Sequence, residues 1–432
     1  MKRRRRVAIT GLGMVTPVGN DVATTWAALL EGRSGVAPIS IFDASGFSTR
    51  IAAEVKDFSD AALSVDRKLL KFANRSHRFA LGAAEQAMRD AGIAPTTATA
   101  TRWGCSVGTG MMGVAYEDLS AVQRHSAADG ELHADQLVSD PTAADPIVFC
   151  RSQATAGLAL LTRRFGIHGY ATSVHTACAS GGQAIGTALK LIRRGSVDYA
   201  LAGGFDSMIS PVGLAGFCLL SAVSADNDTP QRASRPFDAT RNGFVLGEGA
   251  GFVVLEEWEA ARRRGAHIYA ELAGDGNSLS SYRITDSPPD GDGPIQSMRA
   301  ALADAGAKPE EVDYINAHGT STYMNDKSES AAIHTVFGDK TAEVAVSSTK
   351  SSMGHLIAAA GAVEVAVCAL AIRNGELPVN ANLRERDPDC DLNLVVAPTK
   401  RRVRMTLSNS FGFGGSNSCV ALRHPDQVAG AG

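Results

Sequence analysis

Apolar residues fall at helical spacing at Ala184, Ile185, Ala188, Leu189 and Ile192, and the run ends in Arg193-Arg194-Gly195, a cationic last turn before a glycine suited to a left-handed cap. Just upstream, the β-branched stretch Ser173-Val-His-Thr176 gives way to the small residues Ala177-Cys178-Ala-Ser-Gly-Gly182. The pattern predicts a strand, a sharp junction carrying one thiol, and a packed helix. Strand-like runs also begin at Val7, span Trp103 to Val107 and span Val312 to Ile315. The longest apolar run, Leu356 to Ile372, has Glu364 in its middle and is rich in small residues, so it reads as a buried helix and no membrane anchor follows from it.

The landmarks repeat. A helical pattern ending Asp90-Ala91-Gly92 leads through Trp103–Val107 into Gly108-Thr-Gly110; another ending Asp304-Ala305-Gly306 leads through Val312-Asp-Tyr-Ile315 into His318-Gly-Thr320. The helix after Cys178 closes on Leu191-Ile-Arg-Arg-Gly195, and the one after His355 closes on Ala371-Ile-Arg-Asn-Gly375. Two copies of one unit are expected, residues 1–265 and 266–432, dividing near Arg262-Arg-Arg-Gly265, with loops converging on one site.

Composition narrows the class. The 432 residues carry 44 glycines and a net charge of −3, which suits a soluble α/β protein with many tight strand–helix turns and gives no sign of a nucleic-acid binder. The basic opening Met-Lys-Arg-Arg-Arg-Arg6 is followed by a stretch broken by Gly11, Gly13 and Pro17, unlike a secretory signal. Seven cysteines without Cys-x-x-Cys spacing argue against a disulfide framework or a thiolate metal site and point to the reducing cytoplasm.

Cys178 at a helix start is a candidate nucleophile, because the free N–H groups and the helix dipole there favour thiolate and can hold an oxyanion; taken alone it could equally be a structural core cysteine. Gly108-Thr-Gly-Met-Met-Gly113 fits a dinucleotide pattern, but its strand does not open a βαβ unit and no buried helix face follows, so it carries little weight. The second half offers partners for the thiol. Asn316-Ala-His318-Gly-Thr320-Ser-Thr322 follows a strand, Ser347-Ser-Thr-Lys350-Ser-Ser-Met-Gly-His355 enters an alanine-rich helix, and Asn409-Ser-Phe411-Gly-Phe413-Gly-Gly-Ser-Asn417 is a glycine-dense loop with two rings.

Together these four motifs resemble the elongating β-ketoacyl–acyl carrier protein synthases, and the likeness runs from Val7 to about Leu422, supported by Ser234-Arg-Pro-Phe-Asp238 and Arg241-Asn-Gly-Phe-Val-Leu-Gly-Glu-Gly249. The resemblance implies an α/β, thiolase-like fold, an internally duplicated five-layer αβαβα arrangement, usually a homodimer. It implies that Cys178 takes the acyl chain, that His318 and His355 stabilise the enolate left by decarboxylation of a malonyl thioester, and that Lys350, with Glu364 as charge partner, tunes them. The N–H groups of Cys178 and Phe413 would form the oxyanion hole. Thr320 and Thr322 would hold the phosphopantetheine arm. Phe411 and Phe413 would border the substrate, with Phe413 as the gate, and Met111 would line the pocket floor and limit chain length. No metal or organic cofactor is implied. The partner would be an acyl carrier protein; the runner-up, a ketosynthase of a type II polyketide or polyene pathway, could pair with a chain-length subunit.

The chain also departs from the family. Ser280-Ser-Tyr-Arg283-Ile-Thr285 stands where many relatives have Asp-Ala-Tyr-His-Met-Thr, and Ser221-Ala-Val-Ser-Ala-Asp226 where they often have Arg-Ala-Leu-Ser-Thr-Arg. An acidic, alanine-rich stretch over 125–145 lengthens the first half and is expected near the dimer contact. With two positive charges lost, Arg67, Lys68, Lys71 and Arg75, at helical spacing, become the expected basic rim for an acidic carrier.

Overall fold

The computed structural model describes residues 4–110, 114–128, 131–133, 135 and 145–427. Met111 and most of the 125–145 stretch lie outside the described residues. Ten strands form one continuous sheet: β1 (Val7–Val15), β2 (Trp103–Thr109), β3 (Ala171–Val174), β4 (Tyr199–Ser207), β5 (Glu248–Glu257), β6 (Ala270–Leu279), β7 (Tyr314–Asn316), β8 (Ala345–Ser347), β9 (Met405–Phe411) and β10 (Ser416–Arg423). Their spatial order is β8-β7-β9-β10-β6-β1-β5-β4-β2-β3. Read outward from the middle, each half lays down its own first, fifth, fourth, second and third strands. The halves join where β1 and β6 pair antiparallel, with Ala8 opposite Glu271. In both halves the three outer strands are parallel and the inner ones antiparallel. One topology used twice accounts for the repeated landmarks, down to the left-handed caps Gly92 and Gly306.

Six helices build the layers: α1 (Arg75–Ala91), α2 (Ala156–Phe165), α3 (Ser180–Arg193), α4 (Asp292–Ala305), α5 (Tyr323–Phe337) and α6 (Ala360–Asn374). α1 and α2 cover the outer face of the first half, and α4, with α5 packed against it, covers that of the second. α3 and α6 lie between the halves and touch strands of both, which gives the five layers. The helical spacing read at Ala184, Ile185, Ala188, Leu189 and Ile192 is a core face, all five fully buried. α6 has no solvent face; the run Ile357–Asn374 is long and apolar enough to cross a bilayer, but 89% of it is buried inside the protein. All seven cysteines are free.

Small residues set how closely the layers approach. A Cβ on Gly108 would lie 2.4 Å from the Ser180 carbonyl carbon, and one on Gly110 2.4 Å from an Asp206 carboxylate oxygen. Of the dinucleotide-like pattern, Gly108 therefore serves packing of β2 against the start of α3 and Gly110 the approach of Asp206 on β4, while Gly113 lies outside the described residues. The same holds where the two central helices cross: a Cβ on Gly181 would meet the Ala358 carbonyl oxygen and the Ala362 nitrogen at 2.8 Å each. Helix propensity alone would make Gly181→Ala stabilising by up to about 1 kcal/mol. Backbone overlap reverses that sign, so the variant should lose roughly 1–3 kcal/mol in denaturant melts, whereas Gly46→Ala, which meets nothing within 4 Å, should melt like the parent.

Candidate active site

Cys178 reaches the site through a strained turn. β3 ends at Val174, Thr176 donates its N–H to Ser180 Oγ at 2.8 Å, and Ser180 Oγ donates to the Ala177 carbonyl at 2.7 Å. Ala177 is forced to φ +48°, a conformation costly for a residue with a Cβ. Cys178 then sits in a single 3-10 turn, Ala177–Ala179, ahead of α3. His355 comes from the matching place in the second half. Its N–H donates to the Val245 carbonyl at 2.7 Å and its carbonyl accepts from Gly247 at 2.9 Å. Ile357, with φ +49°, opens a 3-10 turn that runs into α6. His318 follows β7 on a turn held from below: the N–H groups of His318 and Gly319 donate to the Glu329 carboxylate at 2.9 and 2.8 Å, and that of Thr320 to Asp326 at 2.9 Å. Asp326 in turn lies 3.5 Å from the buried Arg241 guanidinium.

These three turns bring Cys178, His318 and His355 together. Their sulfur and ring nitrogens lie within 4.8 Å of one another, and His355 Nε2 is 2.9 Å from Cys178 Sγ. Backbone N–H of Ile357 donates to His355 Nδ1 at 3.3 Å, so Nδ1 is the acceptor and Nε2 carries the proton pointing at the sulfur. The His318 and His355 rings meet edge to face with centroids 5.3 Å apart, Phe411 tilts against His318 at 5.6 Å and Phe244 stands edge-on to His355 at 5.4 Å. All border a cavity of about 360 Å³ that also takes in Thr320, Thr322 and Phe413. Thr320 and Thr322 share a hydroxyl–hydroxyl bond of 2.8 Å, leaving an oxygen pair on the cavity wall. By geometry the three side chains could also hold a soft metal ion, the only such cluster among the described residues.

The electrostatics are set by burial. Lys350 and Glu364 are both buried and joined by a 2.5 Å bond from Nζ to Oε1. Burial, and then the Lys350 cation, hold both imidazoles well below their usual range, so they are neutral at physiological pH. For the thiol the structure corrects the sequence reading: burial pushes Cys178 up to about 12, against the pull of Lys350 and of the Phe413 and Cys178 N–H groups. α3 proper starts two residues later at Ser180, and desolvation outweighs its dipole. The resting nucleophile is a thiol. The single helix expected for the basic rim is corrected too. Arg67–Leu70 is a separate short helix, Asn74 caps a new one, and Arg75 is its first residue. Arg75, although its side chain is 42% exposed, has its charge paired with the buried Glu248 at 2.5 Å and donates to the Val55 carbonyl, so it departs from the free cation that the spacing suggests. Arg67, Lys68 and Lys71 remain exposed, and none lines the cavity.

The sequence reading missed the supports of the site. Glu329 and Asp326 hold the His318 turn, and Asp206, buried and pushed up to about 7 by burial, accepts the Ala358 N–H beyond His355. The available signal was two acids on the buried face of α5 and one in the apolar strand β4, which periodicity counts as noise. Cys419, read as structural, is buried in β10.

Two family models cover the chain, "Beta-ketoacyl synthase, N-terminal domain" over residues 4–261 and "Beta-ketoacyl synthase, C-terminal domain" over residues 269–384. The chain belongs to the β-ketoacyl synthase family. Among curated β-ketoacyl synthases it is 42% identical to the 3-oxoacyl-[acyl-carrier-protein] synthase 2 of Coxiella burnetii, over 97% of this chain and 98% of that protein. It is 40% identical to a putative polyketide beta-ketoacyl synthase 1 of Streptomyces cyaneus, over 98% of each. Among solved structures, the ishigamide ketosynthase/chain length factor matches with a TM-score of 0.86 and 37% identity over 97% of this chain and 99% of that one. A type II acyl-carrier protein in complex with its ketosynthase bound to the hexaketide matches with a TM-score of 0.86 and 33% identity, over 98% and 100%. These likenesses establish the thiolase-like ketosynthase fold.

The Lys350 field makes a prediction about pH. A protonated imidazole would quench a carbanion, so activity falls as pH drops through the histidines' pKa values. In the double variant Lys350→Met, Glu364→Gln the opposing cation is gone, both values rise, and the acid limb of CO2 release from a malonyl thioester should move to higher pH by up to about one unit while burial keeps it below that of free imidazole. An unmoved limb would leave Lys350 a purely structural group.

Proposed function

We propose that the chain carries out a decarboxylative Claisen condensation in fatty-acid elongation, joining an acyl group held on Cys178 to malonyl-[acyl carrier protein] to give β-ketoacyl-[acyl carrier protein]. The observation that carries it is the convergence of Cys178, His318 and His355 on one cavity wall within 4.8 Å. In the first half-reaction Cys178 Sγ attacks the acyl thioester carbon; the N–H groups of Cys178 and Phe413 hold the oxyanion, and the carrier thiol leaves with the proton. In the second, His355 Nε2–H and a His318 ring N–H bond the malonyl thioester carbonyl. Loss of CO2 places charge on that oxygen, and the neutral imidazoles stabilise it without protonating the carbon. The carbanion attacks the Cys178 thioester, and the cysteine leaves as thiolate and regains a proton from solvent. Thr320 and Thr322 hold the pantetheine arm, and Phe413 with Phe411 admits the chain. No metal or organic cofactor enters these steps, since thioester and carboxylate supply the reactivity. The enzyme works in the cytoplasm as a homodimer served by an acyl carrier protein.

A second reading, a ketosynthase of a type II polyketide pathway paired with a chain-length subunit, is favoured by the likeness to solved ketosynthase/chain-length and ketosynthase–carrier assemblies. Both readings use the same catalytic residues. Mass spectrometry of acyl groups trapped on Cys178 in cells separates them: saturated chains fit elongation, and polyketone or polyene chains fit the second.

Cys178→Ala should abolish both acyl transfer and condensation with an unchanged melt, a small side chain being tolerated in that turn. His318→Ala and His355→Ala should each slow labelled CO2 release by about a hundredfold or more while Cys178 still acylates. A cysteine variant that elongates, or histidine variants that decarboxylate normally, would sink the assignment. Phe413→Ala should speed acylation by long chains relative to short ones, as the ring no longer plugs the channel.

A further inference from the structure

The cavity's mouth is framed by three segments, 217–223, 280–287 and 320–327, and large apolar side chains stand exposed on all of them. Leu219 is 87% exposed, Leu220 51%, Tyr282 46%, Ile284 81% and Tyr323 52%. Leu220, Ile284 and Tyr323 also line the cavity, which fixes the patch at its opening. The helix Pro211–Leu219, which presents Leu219, has no charged residue on any face. Packing explains its inner side, Leu214 and Phe217, but nothing among the described residues covers the outer one. Soluble proteins rarely leave such clusters bare without a partner.

The same segments offer no net positive charge. Their two cations are both paired, Arg283 with Asp286 at 3.3 Å and Lys327 with Asp389 at 2.7 Å. Asp226, just beyond, is held by Arg235 at 3.1 Å. The charge of Arg75 is balanced by the buried Glu248.

We propose that the carrier protein docks on this rim by apolar contact, and that its docking face is an apolar helix rather than a strongly acidic one. This rests on the carrier-fed condensation proposed above. The thioester arm must pass through the mouth, so the domain bearing it has to sit on the rim; a second copy of this chain seated there would seal off Cys178. With no net positive charge on the rim itself, association is ordinary in rate, and the complex is held by burial of Leu219, Tyr282 and their neighbours, which salt does not screen.

Leu219 and Tyr282 are exposed and lie outside the cavity, so Leu219→Ser with Tyr282→Ser tests the rim alone. The double variant should raise KM for an acyl-carrier substrate about tenfold and leave turnover of a small acyl-pantetheine thioester unchanged. In the parent enzyme, KM for the carrier should change less than about twofold between roughly 50 and 500 mM salt. A carrier KM that climbs steeply with salt, rises on Arg67→Glu with Lys68→Glu and ignores Leu219→Ser would overturn the proposal and leave the condensation reading standing. A double variant whose sedimentation shifts from dimer to monomer with KM unchanged would make the patch a subunit contact and overturn it as well. A parent enzyme that condenses pantetheine thioesters but no carrier-bound ones would overturn the carrier reading itself.

Discussion

The structure depends on the close crossing of α3 and α6 at their N-terminal ends. Gly181 sits against the Ala358 carbonyl and Ala362 nitrogen, and Gly361 against the Gly182 nitrogen, approaches that any Cβ would forbid. Because each helix is entered through a 3-10 turn whose first residue is held at positive φ, Ala177 in one half and Ile357 in the other, the crossing fixes both turns relative to each other. Cys178 rides on one turn and His355 lies just before the other. Their 2.9 Å separation is therefore a consequence of backbone contact between two buried helices, not of a flexible side-chain search. Strain at Ala177 persists because the surrounding layers over-determine it.

Burying the site this deeply has an electrostatic cost that decides its chemistry. A dry cavity raises the thiol and lowers both imidazoles, so every reacting group rests uncharged. A buried pair, Lys350 with Glu364, sits beside the histidines. Removing one member would leave an uncompensated buried charge, while the pair as a whole holds the Lys350 cation where it lowers both imidazoles. Neutral donors in low dielectric are worth most when charge develops in front of them, as it does on an enolate oxygen, and little before.

Much of this was legible in the sequence because it is periodic or repeated. The apolar stripe from Ala184 to Ile192 became the inner face of α3, and the paired landmarks around Gly92 and Gly306, and around Gly195 and Gly375, became equivalent caps in two halves. Cys178, His318 and His355 stood out as unusual residues at strand ends. What stayed hidden is what has no local signature. The Cys178 thiol was expected to be acidic from its helix start; its burial comes from elements far away in sequence. Arg75 kept helical spacing with Arg67, Lys68 and Lys71, yet Asn74 starts a new helix there and Glu248 claims the guanidinium. Glu329 and Asp326 are acids whose partners are backbone N–H groups, a role that side-chain patterns do not display.

The loop bearing Phe413 joins these arguments. Its ring packs against the apolar cluster around Cys178, and its N–H is one of the two that face the sulfur. On the proposed mechanism one residue is thus both plug and oxyanion donor, so acylation needs the ring to swing aside while its N–H stays facing the sulfur. The loop has a second attachment: Gly414 donates to the Ile284 carbonyl at 2.7 Å, Ser280 N–H to the Gly415 carbonyl at 2.8 Å, and Asn417 to Ser280 Oγ at 2.9 Å. Gly415, at φ +81°, lets the two loops lie against each other, since a Cβ there would meet the Ser280 carbonyl oxygen at 2.2 Å. Ile284 is also part of the exposed rim. Ile284 on the rim and the loop that presents the Phe413 N–H are therefore joined by one strip of hydrogen bonds.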